Sequence, residues 1–98
     1  MQRQGKQQLT PEDAFAAVLR EERKRAGLSQ EQLGFDSGYH RTYIGMLERG
    51  LMNPSLRTIL SISTALKLPA GGLIGLVEQT LGGSWRQPEK KVGRKVTD

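Results

Sequence analysis

The chain has 98 residues, of which 36% are hydrophobic, and this size predicts a single domain with one modest core. It contains no cysteine and a single histidine, which excludes disulfides, thiol nucleophiles and zinc clusters, so we expect no cofactor, no metal site and no catalytic residues. The net charge is +5, but eight basic and eight acidic side chains balance between residues 10 and 81, so the excess lies near the two ends of the chain.

The ends of the chain differ in composition from its centre. Residues 1–9 and 82–98 are rich in Gly, Gln, Lys and Arg, which predicts flexible basic tails on either side of a domain at 10–81. The tails are interpreted either as solubilising ends or as phosphate-seeking arms, with Lys90, Lys91, Arg94 and Lys95 as the candidate contacts. No segment reaches the roughly 20 apolar residues that span a bilayer, and Met1–Gln8 lacks the apolar stretch of a signal peptide. We therefore expect a cytoplasmic protein with no membrane partner.

The first predicted helix follows Thr10, an N-cap residue placed directly before Pro11. Arg and Lys fill its last turns, where cations favour the helix dipole, and Gly27 predicts its end. Its apolar face recurs near the helical period. The residues of that face are Phe15, Val18, Leu19 and Ala26.

Two short helices are predicted next. Ser29 with Gln32 has the spacing of a capping box and starts the second helix, which ends at Gly38. The third helix runs from about Arg41 to Arg49, with apolar residues on one side and a glycine directly after it. Two short helices joined by a tight glycine-containing turn favour a helix-turn-helix over residues 29–50.

Two further helices complete the predicted fold, which is all-α because no segment shows the alternation of a half-buried strand. Residues 53–55 form a turn and cap before a fourth helix, whose apolar stripe is Leu56, Ile59, Leu60, Ser63 and Leu66. A fifth helix over roughly 70–81 carries apolar residues on more than one face. We expect the excess to form a dimer interface, with packing against the first and fourth helices as the alternative. These residues are Leu73, Ile74, Leu76, Val77 and Leu81.

Four stretches in this order carry a family resemblance. They are GLSQEQL at 27–33, SGYHRTYIGMLERG at 37–50, NPSL at 53–56 and TALKLPAGGL at 64–73. Together they resemble the Cro and phage-repressor family of helix-turn-helix regulators, also called xenobiotic-response-element-like. The resemblance implies a compact five-helix domain that binds double-stranded DNA as a homodimer.

The resemblance places the recognition helix at the third helix and base contacts at Arg41, Thr42 and Met46. Arg41 can donate two hydrogen bonds to guanine, Thr42 offers a hydroxyl or a methyl group, and Met46 gives only apolar contact. The alternative for Arg41 is a solvated surface charge.

Phosphate contacts are expected around this helix. The resemblance assigns one to Gln30, which alone could be a helix filler, and His40, Tyr43 and Arg49 are further candidates because they flank the recognition helix. His40 is interpreted as a cap or phosphate donor, and the Tyr43 ring as a phosphate contact or as packing under Phe35.

Arg23 and Glu48 fall at positions that the resemblance expects to form a partly buried ion pair between the first and third helices. The chain departs from the family pattern at Gly34, Gly45 and Lys67, where alanine, a small polar residue and glycine are more usual. Gly45 is open to two interpretations, a close approach to DNA or simple tolerance.

The sequence thus predicts a DNA-binding transcriptional regulator, a repressor or controller, that reads the major groove as a homodimer. Two half-sites would lie roughly 34 to 36 Å apart. The alternative is an antitoxin or protein-interaction module of the same fold, with a toxin or polymerase as partner and DNA binding secondary. An enzyme is not expected, since the single histidine has no triad context.

Overall fold

The computed structural model describes residues 9–83 and 85–87, and within them the chain forms five α-helices and no strand. They are α1 (Pro11–Arg25), α2 (Gln30–Ser37), α3 (Arg41–Glu48), α4 (Leu56–Leu66) and α5 (Ala70–Thr80). The predicted all-α, five-helix class is confirmed. Of the predicted tails at 1–9 and 82–98, residues 1–8, 84 and 88–98, with the four candidate cations, lie outside the described residues.

Side-chain caps start four of the helices. The hydroxyl oxygens of Thr10, Ser29 and Ser55 accept hydrogen bonds from the backbone nitrogen three residues later, at 3.0, 2.9 and 3.1 Å. The Nδ1 atom of His40 accepts from the Thr42 nitrogen at 3.0 Å and caps α3. Each cap satisfies a backbone donor that the first helical turn leaves free. These local bonds explain why the predicted starts agree with the structure.

Left-handed residues end the first four helices or directly follow them. Gly27, Gly38 and Gly50 have φ values of 74°, 87° and 74°, and Lys67 at the end of α4 has φ 61°. A side chain is strained in this region, whereas glycine adopts it freely. The positive φ at Lys67 gives the physical reason why the resemblance expects glycine there.

The core lies where all five helices meet. The α1 helix packs against α3 and α5, α2 packs against α3 and α4, and α4 also contacts α5. Six large apolar side chains are fully buried in this core: Leu19, Leu33, Ile44, Leu47, Ile62 and Leu73. The helix-turn-helix is therefore held from behind by α1 and α4.

The buried face of α4 differs from the predicted stripe. Ile59 is half-buried and Ser63 and Leu66 are buried as expected, but Leu56 and Leu60 are exposed. The buried residues are Thr58, Ile62, Ser63 and Leu66. The helical period was right and the face was rotated, because the positions of α2 and α5 decide which side is covered.

The α5 helix buries part of its apolar surface within the subunit. Leu73 is fully buried and Val77 is buried in the core, so neither offers surface to a partner, and for these two the intramolecular alternative holds. Leu76 and Leu81 are half-buried, and Ile74 is 38% exposed. Of the five residues predicted for the dimer interface, Ile74, Leu76 and Leu81 therefore retain accessible surface.

Among the described residues, none of the helices alone has the length and apolar character to cross a membrane. Taken together, α4 and α5 meet the length and composition criteria as a bent pair with an angle of 104°.

Candidate nucleic-acid interface

The first turn of α3 points away from the core. Arg41 and Thr42 are exposed, whereas Ile44 and Leu47 are fully buried. Residues three and four apart share a helix face, so Thr42 lies on the outer side of α3 with Gly45 and Arg49, and Arg41 is exposed as the first residue of the helix. Met46 is half-buried one turn later. The proposed base-reading residues thus fall into an exposed pair and a less accessible third.

A shallow groove runs along the exposed side of α3. It is lined by Gln30 of α2 and by Arg41, Thr42, Gly45 and Arg49. A Cβ atom added at Gly45 would meet only the Gln30 side chain, at 3.7 Å, so packing within the subunit does not require glycine there. The groove combines two cations, an amide and a hydroxyl, which are the groups that bind phosphates and base edges.

The C-terminal end of α3 is anchored by Glu48, which is 3% exposed. Its carboxylate accepts from Arg23 Nε at 2.6 Å, from Arg23 Nη2 at 3.0 Å and from Gln30 Nε2 at 3.1 Å. Arg23 also donates to the Leu28 carbonyl at 2.8 Å, and Arg20 donates to the Glu48 carbonyl at 2.6 Å. The expected Arg23–Glu48 ion pair is therefore present, and it joins three helices.

The electrostatics of this anchor favour the charged state of Arg23, whose side chain is 11% exposed. The hydrogen bond to Glu48 raises the pKa of the Arg23 guanidinium, burial acts in the opposite direction, and the charge of Glu48 adds to the rise. The stabilising contribution is present below the pKa of the unfolded chain, and it is lost only as the pH rises through the folded value. The anchor therefore persists at every pH near neutrality.

The surroundings of Tyr43 differ from the packing under Phe35 that the sequence allowed. The Tyr43 ring lies against Tyr39, with centroids 5.0 Å apart and planes tilted by 33°. Phe35 is 81% exposed, so the alternative in which Tyr43 packs under Phe35 is wrong. The rotation of α2 turns Phe35 to solvent because Leu33 and Gly34 occupy the buried side.

Tyr39 takes a role that sequence reasoning missed. Its hydroxyl lies 2.9 Å from Thr58 Oγ1, which in turn lies 3.0 Å from Ser55 Oγ. This chain of hydroxyls ties the turn of the helix-turn-helix to the first turn of α4. A tyrosine in a turn gives a weak sequence signal, because its partner is 19 residues away.

Glu31 is the second residue that sequence reasoning missed. Its carboxylate Oε1 lies 3.8 Å from Nη1 of Arg41, and both side chains are exposed. The two residues begin neighbouring helices, since Glu31 is in the first turn of α2 and Arg41 is the first residue of α3. A negative charge therefore lies beside the principal candidate for base contact.

The structure brings Gln30, Arg41, Thr42 and Arg49 together in one groove. His40 is exposed beside it, with Nδ1 used by the helix cap. Gln30 also donates to the Glu48 carboxylate on α3, so its side chain is more than a helix filler.

A family model described as helix-turn-helix matches residues 19–73, more than half of the chain. This range contains α2, α3 and α4 and ends within the first turn of α5. The match therefore includes every element that forms the groove.

Individual relatives include controller proteins. Control protein C.SmaI of Serratia marcescens is 44% identical over 54 residues, which are 55% of this chain and 64% of that protein. The matched segment is thus less than two thirds of that relative's length. The crystal structure of the restriction-modification controller protein C.AhdI from Aeromonas hydrophila has 47% identity and a TM-score of 0.62, covering 63% of this chain and 94% of that one.

A more distant structure shares the fold. The restriction-modification controller protein C.Esp1396I, crystallised as a tetramer with its natural 35 base-pair operator, has a TM-score of 0.68 at 22% identity. The similarity covers 72% of this chain and 93% of that one.

Proposed function

Since this chain belongs to the helix-turn-helix family of Cro and phage-repressor type, we propose that it is a transcriptional regulator that reads the DNA major groove with α3. One observation carries the proposal. The first turn of α3 presents Arg41 and Thr42 to solvent, while the opposite face and the far end of the helix are fixed in the core. A recognition helix needs this arrangement, because its exposed end has to enter the groove without unfolding.

Each side chain of the groove has a separate task in this proposal. Arg41 donates to guanine O6 and N7, Thr42 contacts a neighbouring base, and Met46 offers apolar contact only at the edge. Gln30, His40, Tyr43 and Arg49 contact phosphates and fix the position of α3 on the duplex. No step of this function requires catalysis or a cofactor.

The protein is proposed to act as a homodimer. A single short helix reads too few base pairs for useful specificity, whereas a two-fold pair reads two half-sites about one turn of DNA apart. The exposed part of α5, at Ile74, with the half-buried Leu76 and Leu81, is the proposed contact. The shared fold with a controller protein crystallised on its operator supports this mode of binding.

The similar proteins indicate the class of genes that the proposed regulator controls. C.AhdI, a restriction-modification controller, matches over 94% of its length at 47% identity. We therefore propose that this chain controls the transcription of restriction-modification genes. Such a regulator works where the DNA is, so a cytoplasmic location belongs to the same proposal.

Selection from random duplexes tests the readout. We expect the wild-type protein to enrich a two-fold site, and Arg41→Ala to lose preference at one base pair of each half-site by about 5- to 150-fold, with unchanged thermal unfolding. Arg25→Ala is the matched control, because it removes the same charge from an exposed position on α1. An unchanged preference in Arg41→Ala would overturn the assignment of the base contact.

A second candidate function rests on Phe35. This ring is 81% exposed on α2, outside the groove, as expected of a residue that contacts a protein. Under this alternative the chain is an antitoxin or interaction module that binds a toxin or polymerase. Salt separates the two functions, because affinity for DNA falls steeply with added salt while binding through an apolar surface changes little.

A further inference from the structure

We propose that Glu31 is a positioning residue that moderates both the affinity and the base preference of Arg41 by offering its guanidinium a competing acceptor next to the DNA-reading groove. This inference rests on the proposed function and assigns a specificity-determining role to a residue outside the predicted contacts. It is carried by one juxtaposition, in which the first turns of α2 and α3 place a carboxylate beside the only cation of the first turn of α3.

The geometry of the pair favours exchange over rigid support. The closest nitrogen and oxygen of Arg41 and Glu31 are 3.8 Å apart, beyond hydrogen-bond distance, and the side chains are 63% and 76% exposed. Exposed pairs of this kind are weak, because water and salt screen them. Arg41 is therefore drawn toward Glu31 in the free protein and leaves it at little cost.

The Glu31 carboxylate weakens binding to any duplex. A negative charge this close to Arg41 lies within a few ångströms of the groove, where the phosphates and base edges of a bound duplex would lie. Repulsion from the phosphates lowers affinity for every sequence equally. The repulsion alone therefore does not discriminate between bases, and any effect of Glu31 on base preference has to come through Arg41.

The effect of Glu31 on base preference follows from the chemistry of the base edges. In the major groove guanine presents two acceptors, O6 and N7, which match two N–H donors of a guanidinium. Adenine presents one acceptor beside a donor, thymine one acceptor and cytosine a donor. Only guanine replaces the attraction of Glu31 with two hydrogen bonds, so Arg41 remains near the carboxylate opposite any other base. Specificity is a difference of affinities, and Glu31 reduces it because the cost of leaving the carboxylate falls on the guanine complex alone.

The test uses the base pair at which Arg41→Ala loses preference. Dissociation constants are measured at one fixed salt concentration for the selected duplex and for a duplex changed at that pair only. We expect Glu31→Gln to strengthen binding to both, more so to the selected duplex, where Arg41 has to leave the carboxylate, and to raise the ratio between them about two- to fivefold. In the Arg41→Ala background the same substitution should leave the ratio unchanged.

Two controls separate this role from charge and from stability. Asp36→Asn removes one exposed negative charge from the same helix, where the carboxylate accepts from Gln32 instead of pairing with Arg41, and should leave the ratio unchanged. Glu31 also lies at the positive end of the α2 dipole, so thermal unfolding of Glu31→Gln is measured alongside. A small loss of stability does not move the ratio of two affinities measured on the folded protein.

The outcomes are distinguishable. An unchanged or lower ratio in Glu31→Gln, or an equal rise in the Arg41→Ala background, overturns the role of Glu31 and leaves the proposed function standing. A wild-type protein that enriches no sequence overturns the proposed function, and this inference with it.

Discussion

At the scale of single residues, Glu48 joins three helices through its buried carboxylate. Its carboxylate is almost fully buried and binds Arg23 of α1 and Gln30 of α2 while belonging to α3. A buried charge is tolerated only when it is paired and hydrogen-bonded, and this one accepts three hydrogen bonds. The orientation of α3 relative to α1 and α2 therefore depends on one side chain.

Loss of Glu48 should be far more damaging than loss of a surface acid. We expect Glu48→Ala to lower the free energy of unfolding by about 3 to 5 kcal/mol, because Arg23 remains as an uncompensated and nearly buried charge. Urea denaturation measures the change. Glu21→Ala serves as control, since its exposed pair with Arg25 should contribute less than about 1 kcal/mol. Equal effects of the two substitutions would contradict a stabilising role for the buried pair.

At the scale of the helices, the glycines inside α2 and α3, Gly34 and Gly45, have opposite surroundings. A Cβ atom on Gly34 would collide with the Tyr39 carbonyl oxygen and lie 3.2 Å from the Arg41 nitrogen. Both atoms belong to the backbone of the turn, which cannot move without displacing α3. A Cβ atom on Gly45 would meet only a flexible glutamine side chain.

Alanine at these two positions should change stability in opposite directions. We expect Gly34→Ala to destabilise the protein by about 1 to 3 kcal/mol through steric conflict in the turn. Gly45→Ala should stabilise it by about 0.5 to 1 kcal/mol through helix propensity. Thermal unfolding of the pair measures both. A Gly45→Ala protein that is more stable but binds DNA weakly would show that the duplex approaches the α3 backbone; unchanged binding would mark the glycine as tolerated.

The helices also show how far sequence reasoning reaches. Starts at Thr10, Ser29 and Ser55 were predictable, because a cap is decided within three residues of chain. The exposure of Leu60 was not, because it depends on where other helices pack on α4.

The candidate site divides in the same way. Arg41 and Thr42 could be placed by motif, since both lie in the first turn of the predicted third helix. The contacts of Glu31 and Tyr39 join separate elements, so no local sequence pattern predicts them.

At the scale of the whole molecule, the proposed contact between two subunits depends on the accessible part of α5. Leu76 is half-buried against the subunit's own core, so Leu76→Asp would disturb folding as well. Ile74 is more exposed on the same helix and gives a cleaner test.

We expect Ile74→Asp to shift the protein from dimer to monomer and to weaken operator binding at least tenfold, because two half-sites are no longer read together. Sedimentation velocity gives the oligomeric state, and circular dichroism verifies the fold. Phe35→Asp is the control for an exposed apolar residue away from α5 and should remain dimeric. A dimeric Ile74→Asp protein would move the interface to other exposed apolar residues, such as Leu56 and Leu60.

The contrast between the two ends of α3 has an evolutionary consequence. Arg41 and Thr42 lie outside the core, so exchanging them should alter the free energy of unfolding by no more than about 0.5 kcal/mol. Descendants of this protein can therefore acquire new target sequences by mutation at these positions while the scaffold stays intact. The same property makes the first turn of α3 the natural place to reprogramme the protein by design.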